Sequence, residues 1–190
     1  GLNYINTFQE IFEVSLDYFY KNSASDNTSS SKRETFLSNG DRFFTNSESN
    51  SFNESDSHDA SIDFEIEIDS TFRIDIESDF NRDFNRNTFN SMSESLNNNS
   101  TLTNDSETTS IADSDRKQFD NEINFSKKFG NKGAFIRAEI TANVSQSETD
   151  DFVKSETNIY GTNENQIIRD QYSDGNSDRK QFGSEFTYRL

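Results

Sequence analysis

The chain reads as all-β, an antiparallel transmembrane β-barrel portion of about seven strands with tight turns at one end and long connections at the other. Three observations lead there. Apolar and charged residues alternate with period two, hairpin-sized turns recur between the alternating stretches, and a unit of about 60 residues repeats along the chain. No stretch approaches the roughly 20 apolar residues of a membrane-spanning helix.

The composition fits that class better than any soluble one. Of 190 residues 29% are hydrophobic, and the formal net charge is −17. Values that low point to disorder, yet there are 19 Phe and 6 Tyr and no Pro, the reverse of a disordered chain. A barrel strand resolves the conflict, because only every second residue has to be apolar while lumen and outer loops are wet.

The opening segment is a hairpin, with Tyr4 to Phe8, a short turn, then Phe12, Val14, Leu16, Tyr18 and Tyr20. The alternation is clearest from Ala60 to Phe80. Even positions carry Ala60, Ile62, Phe64, Ile66, Ile68, Phe72, Ile74, Ile76 and Phe80, and odd positions carry Asp63, Glu65, Glu67, Asp69, Arg73, Asp75, Glu77 and Asp79. A helical face repeats every 3.6 residues and does not sort side chains this way. Parity is unchanged across the turn, so an odd loop separates the strands, and Asp69-Ser70-Thr71 would set Ile68 opposite Phe72.

A third hairpin changes parity. Phe119, Ile123, Phe125 and Phe129 are odd, with Asn121 a polar exception, whereas Ala134, Ile136, Ala138, Ile140, Ala142 and Val144 are even. An even loop is required, and Gly130-Asn131-Lys132-Gly133 supplies it. Phe182, Phe186, Tyr188 and Leu190 begin a further strand.

Ser114 to Phe119 (SDRKQF) recurs as Ser177 to Phe182, and a fainter copy begins at Ser55. The connections, roughly 22–58, 85–114 and 146–177, are rich in Ser, Asn, Asp, Glu and Thr. Coil that long is uncommon in a compact domain, so strands are expected to continue there as polar ribbons, one of them turning at Ser38-Asn39-Gly40. The turn asymmetry sets the tight turns on the periplasmic side and the long connections outside.

The residues 119–140 (FDNEINFSKKFGNKGAFIRAEI) and the opening stretch 1–20 (GLNYINTFQEIFEVSLDYFY) resemble the C-terminal barrel of TonB-dependent outer-membrane receptors, especially the Bacteroidetes-type group. The resemblance covers the whole chain as a pattern. It implies a barrel in the outer membrane of a Gram-negative bacterium, a plug domain in its lumen, and TonB-energised uptake of a scarce nutrient. Residues 1–190 are then part of one barrel domain cut at both ends, with the plug and any TonB contact in upstream sequence. Expected partners are outer-membrane lipid, the plug of the same parent chain and TonB. Two alternatives stay open: a porin or assembly barrel without TonB, and a secreted acidic β-rich adhesin or surface module.

The same reading expects no enzyme, no cofactor and no metal site. With 35 acidic against 18 basic residues the chain lacks the cationic surface that nucleic acid requires. It has no Cys for a thiolate site, and no calcium loop, phosphate loop or nucleophile-elbow pattern. The carboxylates Asp63, Glu65, Glu67, Asp75, Glu77 and Asp79 read as a solvated or plug-contacting wall, with a cation path as the rival. His58 reads as an exposed loop residue at a strand mouth. Phe43, Phe44, Tyr160 and Tyr172 are the candidate ligand contacts, as aromatics on loops above a rigid scaffold.

Overall fold

The computed structural model describes residues 1–9, 11–130, 133–161 and 163–190. It contains one sheet of seven antiparallel strands in sequence order. These are β1 (Leu2–Phe8), β2 (Phe12–Phe36), β3 (Arg42–Asp69), β4 (Phe72–Leu96), β5 (Leu102–Phe129), β6 (Ala134–Ile159) and β7 (Asn165–Arg189). Every neighbouring pair is a hairpin, so each strand is fixed by the turn beside it. The sheet is not closed, because β1 and β7 each pair on one side only.

Strands β2 to β7 run for 25 to 28 residues, roughly 80–90 Å at about 3.3 Å per residue. The polar connections are therefore ribbons, as the length of the Ser/Asn/Asp-rich stretches implied. What the sequence presented as long loops are strands joined by short connections, at Asn39, at Asn99 and between Ile159 and Asn165. In the second of these Ser100 adopts a left-handed φ of 58° and its amide donates to Asn97 O at 2.9 Å. The asymmetry between the two ends thus lies in side-chain character, with the apolar residues gathered towards one end, and not in turn length.

The β3–β4 turn differs from expectation by one residue. Ile66 pairs with Ile74 and Glu67 with Arg73, but Asp69 pairs with Phe72, so Ile68 forms a bulge and only Ser70 and Thr71 turn. Asp69 is the cause: its carboxylate accepts the Thr71 amide at 2.7 Å, an Asx-type closure that a three-residue turn would forgo. That bond and the Thr71 hydroxyl hold the Asp69 carboxyl far below the usual carboxylate range. In the β5–β6 turn Phe129 pairs with Ala134, which leaves the four-residue loop that the parity change required. Gly130 and Gly133 take φ of 59° and 83° there, where a side chain would be strained. Asn131 and Lys132 lie outside the described residues.

The sheet has no core of its own. None of its described residues is buried. Its accessible surface is 13504 Å², against about 9,300 Å² for a compact monomer of this mass. Whatever desolvates the apolar face lies beyond the sheet itself.

Candidate functional site

Register sorts the side chains of β1–β7 into two opposite faces. One face carries rungs such as Phe12, Ile66, Ile74, Phe125, Ala138 and Phe186, with Val14, Phe64, Ile76, Ile123 and Ile140 in the next. Phe8, Phe12 and Phe64 stack along it, with ring centroids 5.8 and 5.7 Å apart. All the long apolar runs collect at the end of the β1–β2, β3–β4 and β5–β6 turns and form one continuous band.

The outer edge of that band follows one rung across β3 to β6, ending at Ala60, Phe80, Phe119 and Val144, and steps one position outward on β2 and one inward on β7. On β2 its outermost residue is Tyr20, whose rung continues through His58, Arg82, Lys117 and Gln146 to Asp178 on β7. On β7 the band begins only at Phe182, four residues nearer the turns. At the turn end the rung of Phe12 meets β5 at Phe125, and Phe129 lies beyond Lys127, which bonds Asp69 at 3.1 Å. Along each of β2 to β6 the band covers about 26–33 Å, or roughly 20–25 Å of depth for strands tilted by about 40°.

One pair of polar side chains stands across the band. Ser78 and Asn121 are opposite each other, and Asn121 Nδ2 donates to Ser78 Oγ at 2.7 Å and to Glu77 O at 3.2 Å.

The other face is a carboxylate wall. Asp63, Glu77 and Glu122 stand in one rung, Glu13, Glu65 and Asp75 in the next, and Asp79 faces Asp120. Like charges directly opposite are unfavourable. Arg73 relieves one rung by reaching Glu65 at 2.9 Å and Asp75 at 2.7 Å, and Arg137 donates to Asn124 at 3.1 Å. These side chains line an open trough, and among the described residues no His/Cys/Asp/Glu group is arranged to hold a metal ion.

Beyond the band, charges on the apolar face are layered. The first residues past its edge on β2 to β7 are Asn22, His58, Arg82, Lys117, Gln146 and Lys180, none of them acidic. The next along each strand are Ala24, Asp56, Phe84, Asp115, Glu148 and Asp178, four of six acidic. Asp115 joins the layers, with Arg82 at 2.8 Å and Lys117 at 3.5 Å. Arg82 holds the Asp115 carboxyl below its usual range, and Arg86, 2.6 Å from Asp113, does the same there.

His58 is a mid-strand residue, half-buried, and not the loop residue its polar surroundings suggested. Its Nδ1 is 2.7 Å from the Tyr18 hydroxyl and its ring lies 4.9 Å from that of Tyr20.

The four aromatics selected from sequence do not converge. Phe43, Phe44 and Tyr172 are on strands, and Phe43 and Phe44, being consecutive, point to opposite faces. Phe44 sits near the β2–β3 tip beside Leu96. Tyr160 follows β6 and donates to Asp105 at 2.7 Å. Tyr172 lies well down β7 opposite Phe152 and bonds Asp150 at 2.5 Å. Sequence reading missed the basic row, although the repeated RKQF had placed Lys117 and Lys180 each two residues before a Phe. Comparison of the chain with family models, and with curated proteins, found no match.

Proposed function

We propose that these seven strands are a section of wall in an outer-membrane transport barrel, with the apolar band against lipid and the carboxylate face towards a wet lumen. The one-sided apolar band carries this reading. Strands that cross a bilayer in a barrel tilt by about 35–45°, so an apolar belt parallel to the membrane shifts across the hydrogen-bonding rungs, as the outer edge does by four residues between β2 and β7. The belt's width also agrees with the roughly 25 Å apolar band of such barrels. The absence of any internal core follows directly, since lipid desolvates one face and closure by further strands satisfies the edges.

On this reading the polar ribbons stand above the outer surface of a Gram-negative cell. The wall's chemistry is passive: carboxylate rungs concentrate cations and repel anions along the lumen. We assign the barrel to energised, TonB-dependent uptake of a scarce nutrient, with a plug of the parent chain against the acidic face. This finer assignment rests on the resemblance of the 1–20 and 119–140 segments, and a porin without TonB coupling would use the same wall. Phe43, Phe44, Tyr160 and Tyr172 remain the proposed ligand contacts.

The test is fractionation of the protein, with gel mobility before and after boiling. Recovery in the outer membrane with a heat-dependent shift supports the barrel. A soluble product of unchanged mobility would require a second sheet over the apolar band and would support the secreted module.

A further inference from the structure

We infer that the row His58, Arg82, Lys117 and Lys180 is a docking site for the phosphate groups of anionic membrane lipids. This rests on the lipid-facing reading of the band and adds to it a specific headgroup chemistry at one edge. The chain has 35 acidic and 18 basic residues, yet the six positions first past the band hold two Lys, one Arg and the single His, and no acid. Acids return one position further out on four of the six strands, as Asp56, Asp115, Glu148 and Asp178. The row is two residues, or about 6.6 Å along a tilted strand, beyond the last apolar side chains. That lies within the headgroup layer, roughly 5–7 Å thick on each side of the hydrocarbon.

Arg82 and Lys117 are direct register partners, an arrangement that is unfavourable for two cations unless an anion lies between or beside them. Asp115 supplies one negative charge to this pair. A second is lacking, and a headgroup phosphate at this height provides it. Tyr18, Tyr20 and Phe84 flank His58 and Arg82 in an open hollow, with Asp56 at its outer rim held by the Tyr20 hydroxyl at 2.9 Å, giving aromatic surface for the glycerol or sugar portion beside the phosphate. The source is the bilayer and not free phosphate, because the row continues the edge of an apolar band whose occupant is already lipid.

The test reconstitutes the complete parent barrel, with this chain in its wall, in phosphatidylcholine vesicles containing trace spin-labelled phosphatidylglycerol or spin-labelled phosphatidylcholine, and reads the motionally restricted fraction. Preference for the anionic label, weakened by salt, is expected. R82Q/K117Q/K180Q should lower it about five- to thirty-fold, corresponding to one or two net cations at ~1 kcal/mol each. The equal charge change K32Q/R86Q/K154Q, further out on the same face, should leave most of it in place. Equal association of the two labels with the wild-type protein, or equal loss in both triple variants, would overturn the site. Competition by millimolar inorganic phosphate at constant ionic strength would overturn the lipid as its source. Failure of the chain to enter the vesicles at all would overturn the membrane reading beneath it.

Discussion

Asn121 and Ser78, two polar side chains within an apolar band, face each other across β4 and β5 and are joined by a 2.7 Å hydrogen bond. In lipid neither would have water to turn to, so each satisfies the other. Removing one partner should cost more than removing both. A double-mutant cycle of N121A and S78A, followed by urea unfolding in vesicles, should give a coupling of ~0.5–1.5 kcal/mol, the range of such bonds in membranes. Additive effects would mean that the pair is solvated.

Charge tolerance on the apolar face should depend on depth. I76R near the middle of the band should destabilise by ~2–4 kcal/mol, whereas F80R at its edge should cost only ~0–1 kcal/mol. N124R on the carboxylate face should be tolerated, because Asp75 and Glu139 stand directly opposite it. Unfolding free energies of the three variants in vesicles check the ordering.

The carboxylate wall holds like charges in register. Glu77 stands between Asp63 and Glu122, so E77Q should stabilise by ~0.2–1 kcal/mol. The gain should shrink as salt rises, because the face is wet. A loss of stability would indicate that a cation bound there is part of the fold.

The ribbons should loosen in acid. Arg82 and Arg86 hold the carboxyls of Asp115 and Asp113 below their unfolded value. A depressed folded pKa contributes stability that is complete above the unfolded value, ~3.9, and is lost as pH falls through the folded one. Both pairs are partly exposed, so each is worth only a few tenths of a kcal/mol after screening. Pepsin digestion from about pH 5 down to about pH 2 should cut the β4–β5 ribbon increasingly, and R82Q/R86Q should flatten that dependence.

Much of the strand plan was legible because one face needs apolar residues at period two. Parity from Ala60 to Phe80 identified the β3–β4 hairpin, and the change of parity around Gly130 required the four-residue β5–β6 loop. Where both faces are wet, no alternation remains to mark a strand. Ser47 to Ser57 therefore read as connection, although β3 runs through it. The Ile68 bulge was hidden because the competing Asx closure by Asp69 is a local choice that parity does not constrain. The basic row depends on which residues meet across strands, and the single repeated RKQF was its only trace in the sequence.

The most direct test uses the absence of cysteine. Single cysteines placed in turn from residues 12 to 22 on β2 and 178 to 190 on β7, in membranes, are scored for quenching by a lipid-phase and a water-phase reagent. The expected result is lipid access at even positions only, ending after Tyr20 on β2 and beginning at Phe182 on β7, the same four-residue slip that the register shows. Even positions shielded from both reagents, or lipid access ending on the rung of Tyr20 in both strands, would contradict a tilted barrel wall.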